Sequence, residues 1–204
     1  GVVVVGEDFH FGADREGNVE RLEVLGNRHD FRVEGLPLIR TDPEAPEPVS
    51  STVIRRTLAG GDVAAAAAML GRPYEVRGTV IEGDQRGRTI GFPTANIEFK
   101  HGILPKNGVY IGRLMNLGED NTHPYPALIS VGIAPTFGRG GDPVLEVYVI
   151  DKTLTLRGHP VAISFLKFIR EEVAFESTKQ LIQEMNNDKQ VALAYFHDRK
   201  ASCP

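Results

Sequence analysis

A series of short strand-like segments after Pro73, with no helix-like segment between them, limits the possible folds of this chain more than any other feature. Each segment is rich in β-branched residues or alternates apolar with polar residues, and turn residues separate one from the next. The segments cover residues 74–82, 108–117, 125–131, 144–150 and 161–166, with a shorter candidate at 89–97. Parallel strands need long, usually helical, crossovers, so the pattern predicts antiparallel strands in a sandwich or a closed barrel.

The first 72 residues have a different pattern, which predicts α/β structure. The valines at 2–5 form a continuous apolar run, which is typical of a strand buried in a parallel sheet. We expect a helix over 19–28, a strand over 31–38 and two short helices before Pro73. A buried parallel strand so close to residue 1 suggests that further sheet partners lie upstream.

The C-terminal segment predicts a helix. Ser177 and Gln180 have the spacing of a capping box. Apolar residues then recur at roughly helical spacing, at Leu181, Met185, Ala192, Leu193 and Phe196. We interpret this stripe as a packing surface and not as a cofactor site.

The stretch EGDQRGRTIGFPTAN at 82–96 has the composition of a phosphate-binding loop. Its glycines allow backbone N–H groups to turn toward an anion, and its arginines add positive charge. Thr94 and Asn96, two residues apart, point the same way if they lie on a strand, and oxygen donors of this kind suit Mg²⁺. No G-K-[ST] follows, so this is not a Walker A loop, and a surface hairpin with turn glycines remains the alternative.

Glu146 is a carboxylate within an otherwise apolar predicted strand. Alternation places it on one face with Val144, Tyr148 and Ile150, and places Leu145 on the other. A buried carboxylate needs a partner or a function, whereas a glutamate on an edge strand simply faces water. The residues alone leave both interpretations open.

Composition excludes several classes of protein. A chain of 204 residues with 41% hydrophobic residues can bury a core as one domain or two. The net charge of −4 and the lack of a long basic tract argue against nucleic acid as a partner. The longest apolar run, 63–70, is too short to span a membrane, and the single cysteine, Cys203, excludes an internal disulfide. We expect a cytoplasmic protein without membrane or nucleic-acid partners.

These motifs resemble those of riboflavin kinases. GRTIGFPTAN (87–96) is similar to the family signature, whose proline-threonine-alanine-asparagine motif binds Mg-ATP. Four further stretches fit the same family in the same order: LPKNGVY (104–110), VGIAPTFG (131–138), VLEVYVID (144–151) and FLKFIREEVAFES (165–177). Upstream, GEDFHFG (6–12) and STVIRRTLAGGD (51–62) resemble the adenylyltransferase half of the bacterial bifunctional riboflavin kinase/FAD synthetase, and LGRPYEVRG (70–78) resembles the junction.

The resemblance implies two domains: a partial, Rossmann-like FMN adenylyltransferase over 1–72, and a Greek-key riboflavin kinase barrel with a C-terminal helix over 73–204. It implies that riboflavin and ATP give FMN and ADP with Mg²⁺, and that Glu146 is the general base toward the ribityl 5′-hydroxyl. Thr94 and Asn96 are then the metal ligands. The phosphate-binding residues implied are Gly83, Gly87, Arg88 and Gly91, together with Thr94 and Asn96.

The remaining site residues have plainer alternatives. The resemblance places Arg170 beside the flavin, although it could instead pair with Glu171 or Glu172. Arg88 could make only a surface salt bridge. Phe137 and Phe175 could stack on the flavin ring, but packing in a core is the simpler interpretation.

The adenylyltransferase segment departs from its family pattern. Ser51, Thr52 and Arg55 resemble the motif that binds ATP phosphates at a helix N-terminus, although an ordinary helix cap would look the same. The family's second motif, two histidines flanking a glycine, is absent, because all six histidines are isolated. We therefore expect FAD synthesis to be lost or severely impaired in this chain, whereas a full-length parent would perform it.

Two alternatives to a kinase follow from the same residues. The barrel could bind flavin without turnover, but a passive flavin carrier has no use for Mg²⁺ ligands and a basic loop. The N-terminal segment could act only as a docking surface, in which case residues 73–204 alone would keep full activity.

Overall fold

A computed structural model describes residues 1–42, 44, 47–83, 86–118, 123–133 and 143–201, without the side chains of Arg86, Arg88, Lys200 and Ala201. The chain divides into two compact units, Gly1–Val53 and Ile54–Pro204. None of the described helices combines the length and the apolar character that a membrane-spanning helix needs.

The first unit contains a two-stranded parallel sheet. Strand β1 (Val2–Gly6) pairs in parallel with β2 (Arg32–Leu36), and helix α1 (Val19–His29) connects them. Helix α1 begins where the Asn18 side chain accepts a hydrogen bond from the Arg21 N–H at 2.9 Å. Each predicted element is therefore present, with bounds shifted by one or two residues.

The predicted burial of the N-terminal valines is wrong. Val2 and Val4 are 57% and 53% exposed, and Val3 is 37% exposed. An apolar run gives the strand its extended conformation, but burial also needs a packed layer on each face. Among the described residues of this unit, the sheet has two strands, and it leaves these side chains largely accessible.

The second unit is a closed barrel of six strands. These are β3 (Tyr74–Ile81), β4 (Thr94–Glu98), β5 (Gly108–Asn116), β6 (Tyr125–Ile133), β7 (Pro143–Val149) and β8 (Pro160–Arg170). Their order around the barrel is β3-β4-β7-β6-β5-β8, and every pairing is antiparallel. Strand β8 returns to lie beside β5 after the meander β5-β6-β7, which is a Greek key. The predicted antiparallel barrel is confirmed.

Alternation along the strands separates an interior from an outer face. On β7, Leu145 and Val147 are 1% exposed and belong to the interior core, whereas Tyr148 packs in a second cluster outside the barrel wall. The predicted division of this strand into two faces is therefore confirmed. The second cluster also contains Phe92, Ile111, Leu128, Ile150, Ala192 and Phe196.

Helix α5 (Thr178–Ala201) covers part of this outer face. It begins at a cap in which the Ser177 hydroxyl accepts from the Gln180 N–H at 3.3 Å, as the sequence predicts. The Gln180 side chain in turn accepts from the Glu176 N–H at 3.1 Å. Ala192 and Phe196 are buried, so the C-terminal part of the apolar stripe packs against the barrel, whereas Leu181 and Met185 line a cavity.

The two helices before the barrel pack with it. They are α2 (Ser51–Ala59) and α3 (Val63–Leu70), and Leu58, Val63 and Ala66 belong to the barrel core. The division between the two compact units therefore falls within α2, between Val53 and Ile54. The domain boundary between 72 and 73 stays a prediction, because compactness groups segments by packing and does not mark where a family domain ends.

In the described part of the segment between β3 and β4 lies a short helix, α4 (Arg86–Thr89). Residues 89–97 were expected to form a strand, but β4 begins only at Thr94. Gly91 has a φ of 86°, a left-handed conformation that separates the helical turn from the strand.

Candidate active site

A cavity of about 690 Å³ lies between the outer face of the barrel wall and helix α5. Strands β4, β6 and β7 contribute polar residues to its lining, and α5 contributes Leu181, Met185 and Asp188. The segment that follows β8 closes another side with Glu172, Val173, Ala174 and Phe175. The volume lies within the usual range of small-molecule sites.

The strand ladder brings three predicted site residues together. Asn96 on β4 is directly paired with Glu146 on β7, and Thr94 is paired with Tyr148. Directly paired residues project from the same face of a sheet, so Thr94, Asn96 and Glu146 share the outer face. Thr94 and Glu146 line the cavity.

Two glycines bring the preceding loop onto this strand. A Cβ on Gly83 would collide with the side-chain amide of Asn96. A Cβ on Gly87 would collide with the carbonyl oxygen of Phe92 and would lie 3.4 Å from the Thr94 hydroxyl oxygen. At position 87 the clash is with backbone and requires glycine, whereas at position 83 any side chain would push the Asn96 amide aside.

The other predicted phosphate-binding residues lie in the same segment. Gly87 lines the cavity and Gly91 forms the turn before β4. The carbonyl oxygen of Gly87 accepts from the N–H groups of Phe92 and Ile90, at 2.8 and 3.3 Å. Arg88 is on α4, and its side chain lies outside the described residues.

Arg170 has different partners from those proposed from the sequence. It lies at the end of β8, and its Nη2 donates to Asp188 at 2.8 Å, while Nε lies 3.4 Å from Glu184. The Arg170 and Asp188 side chains are only 19% and 5% exposed. Pairing with the side chains of Glu171 or Glu172 is therefore wrong, although Nη1 does donate to the Glu171 carbonyl at 3.0 Å.

Arg170 also belongs to the cavity. It lines the cavity with Asp188 and lies 5.8 Å from the ring centre of Phe175. Phe175 is half-buried in the same lining, whereas Phe137 lies outside the described residues. The buried ion pair joins α5 to the end of β8 beside the cavity.

The two glutamates after Arg170 point to different places. Glu171 accepts from Lys106 at 2.6 Å, and this hydrogen bond with the lysine charge lowers the pKa of Glu171. Glu172 lines the cavity and accepts from the Ser130 hydroxyl at 3.2 Å.

Several lining residues were not predicted. Asp188 falls on the apolar stripe of α5 between Met185 and Ala192, and a charge at such a position was a usable signal. Ser130 was detectable as a hydroxyl within an apolar strand, on the face opposite Ile129. Glu172 gave no signal, because nothing in its spacing relates it to β6.

The adenylyltransferase-like residues lie at the start of α2. Ser51 and Thr52 occupy its first turn and Arg55 follows one turn later. The cap is Ser50, whose hydroxyl accepts from the Val53 N–H at 3.3 Å. Their role with ATP stays a prediction.

Polar side chains at the cavity and beside it form a set of oxygen donors. Thr94, Asn96 and Glu146 offer a hydroxyl, an amide oxygen and a carboxylate on one face, and hard divalent cations accept such ligands. Leu181, Met185 and Val173 make another part of the lining apolar. A cavity with one polar and one apolar part suits a ligand that combines a flat ring with a polar chain.

Comparison with known proteins identifies the family of this chain. A family model described as riboflavin kinase matches residues 70–196, and one described as FAD synthetase matches residues 1–53. The bifunctional riboflavin kinase/FMN adenylyltransferase of Escherichia coli K12 is 36% identical over 194 residues, which is 95% of this chain and 60% of that protein. The protein of the same name from Bacillus subtilis is also 36% identical, over 196 residues.

A solved structure has the same fold. It is named a macrolide-efflux protein from Streptococcus pneumoniae, and it superposes with a TM-score of 0.78 at 33% identity. The match covers 94% of this chain and 59% of that one. The chain thus spans about 60% of the length of the curated relatives it matches. The riboflavin kinase model covers more than half of the 204 residues, and the chain belongs to the riboflavin kinase family.

Proposed function

We propose that this chain transfers the γ-phosphoryl group of ATP to the primary alcohol of riboflavin, giving FMN and ADP. One observation carries the proposal: Asn96 and Glu146 are directly paired, and Gly83 and Gly87 bring a loop onto Thr94 and Asn96. A glycine-containing loop, two oxygen-bearing side chains and a carboxylate thus lie at or beside one cavity. These are the parts that phosphoryl transfer to an alcohol needs.

In this proposal, Thr94 and Asn96 bind Mg²⁺, which neutralises phosphate charge when it is bound with ATP. The backbone at Gly83, Gly87 and Gly91 covers the phosphates, and Arg88 adds positive charge. Glu146 accepts the proton of the riboflavin 5′-hydroxyl as that oxygen forms its bond to phosphorus and the bond to the ADP oxygen breaks. Catalysis then comes mainly from positioning and charge neutralisation.

The apolar part of the cavity would accommodate the isoalloxazine ring. Leu181, Met185 and Phe175 supply apolar contacts, and Arg170 lies beside them. Because Asp188 and Glu184 pair with Arg170, the guanidinium is fixed in place beside the ring. This arrangement favours flavin contact over phosphate contact for Arg170.

Adenylylation of FMN to FAD is proposed only for the intact parent of the chain. Ser51, Thr52 and Arg55 would contribute to that reaction, but the 204 residues contain no pair of histidines flanking a glycine. We also propose a cytoplasmic location without nucleic-acid or membrane partners, which follows from composition alone.

A single chromatographic assay tests the proposal. The protein is incubated with riboflavin, ATP and Mg²⁺, and riboflavin, FMN and FAD are separated over time, with a parallel sample containing EDTA. We expect FMN without FAD, and no FMN in EDTA. Bound riboflavin with no FMN would instead support the passive flavin-binding alternative, and FMN followed by FAD would show a working adenylyltransferase.

A further inference from the structure

The cavity contains a second carboxylate, Glu172. The proposed proton transfer to Glu146 gives this residue no role. Glu172 accepts from the Ser130 hydroxyl at 3.2 Å. Among the described residues, this hydroxyl is its hydrogen-bonding partner, whereas Glu171 is paired with Lys106 and Arg170 with Asp188. A carboxylate has about four acceptor positions, so Glu172 retains capacity for a ligand.

The strand beneath Glu172 is adapted to it. A Cβ on Gly132 would lie 2.5 and 2.8 Å from the two carboxylate oxygens of Glu172. Any side chain at position 132 would therefore displace the carboxylate from the surface of β6. Glycine at this position keeps the outer face of the strand open for Glu172.

Ser130 connects the two carboxylates of the cavity. In the strand ladder it is directly paired with Glu146, on the neighbouring strand about 4.8 Å away. A polar path therefore runs from Glu146 through Ser130 to Glu172. Beyond Glu172, the lining becomes apolar with Val173, Ala174 and Phe175.

This order of chemical groups matches a ligand with three parts. A reacting alcohol at Glu146 and an aromatic ring at the apolar end leave the chain between them beside Ser130 and Glu172. Hydroxyl groups on that chain can donate to the carboxylate, and the Ser130 oxygen can also accept. A hydrocarbon chain in the same place would leave Glu172 without these hydrogen bonds.

We propose that Glu172, held by Ser130 over Gly132, binds the secondary hydroxyls of the substrate's sugar-alcohol chain and so selects polyol-bearing flavins. The inference rests on the proposed riboflavin kinase activity. Glu172 is thus a specificity-determining residue, and Glu146 keeps the proton-accepting role.

The test compares two substrates with the same ring and the same terminal alcohol. One is riboflavin, and the other carries a 5-hydroxypentyl chain, which lacks the secondary hydroxyls. For Glu172→Ala we expect kcat/KM to fall roughly ten- to hundredfold with riboflavin, the range for a lost hydrogen bond to a charged group. With the hydroxypentyl analogue, kcat/KM should change by less than about threefold, so discrimination is lost.

Two further variants serve as a negative and a positive control. Glu171→Ala removes the adjacent carboxylate, which does not face the cavity, and should leave both substrates unchanged. Gly132→Ala should reproduce the loss of discrimination, because its Cβ displaces the Glu172 carboxylate.

Equal losses of kcat/KM with both substrates, or no loss with riboflavin, would overturn the inference about Glu172. FMN formation by the unmodified chain would still support the proposed kinase activity in that case. A lack of FMN from the unmodified chain would overturn both. If Glu172→Ala does not fold, Glu172→Gln keeps the shape with a weaker acceptor, and the same ratio of kcat/KM values decides.

Discussion

The two faces of the barrel wall formed by β4, β6 and β7 differ sharply, although residues of the two faces alternate along each strand. The interior face is apolar, and its residues Ile97, Ile129, Val131, Leu145, Val147 and Val149 are at most 6% exposed. The outer face places Thr94, Asn96, Ser130 and Glu146 at the cavity or beside it. Because side chains alternate along a strand, stability and chemistry can be assigned to adjacent residues of one element.

The largest expected effect on the outer face comes from Glu146→Gln. Loss of the general base should lower kcat by roughly two to four orders of magnitude, while a side chain of nearly the same shape leaves the fold intact. Steady-state FMN formation and thermal unfolding measure the two quantities. An unchanged kcat would remove Glu146 from the mechanism, and a large fall in Tm would mean that the residue is structural.

The adjacent residue on the interior face should give the opposite result. Leu145 is 1% exposed, and Leu145→Ala should reduce the free energy of unfolding by about 2–5 kcal/mol, because it leaves a cavity in the core. Below the unfolding transition, activity per folded molecule should be nearly unchanged. Denaturant titration with kinetics at low denaturant checks this, and a stable but inactive variant would contradict the separation of the faces.

The interior also contains a titratable group. Burial raises the pKa of Tyr110 to about 12, and its hydroxyl donates to the Lys106 carbonyl. The folded state keeps this proton after an unfolded tyrosine, with a pKa near 10, has lost it. The associated stability is present below pH 10 and is lost as pH rises to about 12, on the order of 2 kcal/mol.

Tyr110→Phe should remove this part of the pH dependence. The measurement is the free energy of unfolding at pH 9 and at several values up to pH 12, for both proteins. We expect the variant to lose less stability across that range than the unmodified chain. Parallel curves would show that Tyr110 ionises alike in both states.

The smallest effect concerns the loop on the outer face. Gly83→Ala places a methyl group against the Asn96 amide, which must move, and we expect KM for Mg-ATP to rise roughly tenfold, as for mild overpacking. Riboflavin affinity should be unchanged. Gly60→Ala is a matched control, since its Cβ would make only contacts of 3.4 Å or longer. An equal rise in KM for both substrates would indicate a general folding defect.

Local patterns predicted much of this molecule. The turn-separated strands after Pro73 indicated the antiparallel barrel, and alternation around Glu146 placed Leu145 in the interior and Tyr148 outside. The cap at Ser177 was readable because its partners lie three and four residues apart. These features depend on neighbours in sequence, so the sequence contains them directly.

Features that depend on tertiary contact were not predictable. Arg170 pairs with Asp188 because α5 packs beside the end of β8, and nothing near Arg170 in sequence indicates this. The Ser130–Glu172 hydrogen bond likewise joins distant segments. The exposure of Val2 and Val4 shows the same limit, because an apolar strand does not specify which layers cover it.

Closure of the barrel also has a consequence for the kinetics of folding. Strand β3 pairs with β8, so that Tyr74 contacts Phe165 across most of the unit's length in sequence. Such non-local pairing loses the conformational entropy of a long loop before the stabilising contacts form. Folding is therefore slower than in helical proteins of the same size. During synthesis, β3 can pair with β8 only after residues 160–165 have left the ribosome, and the barrel therefore closes late.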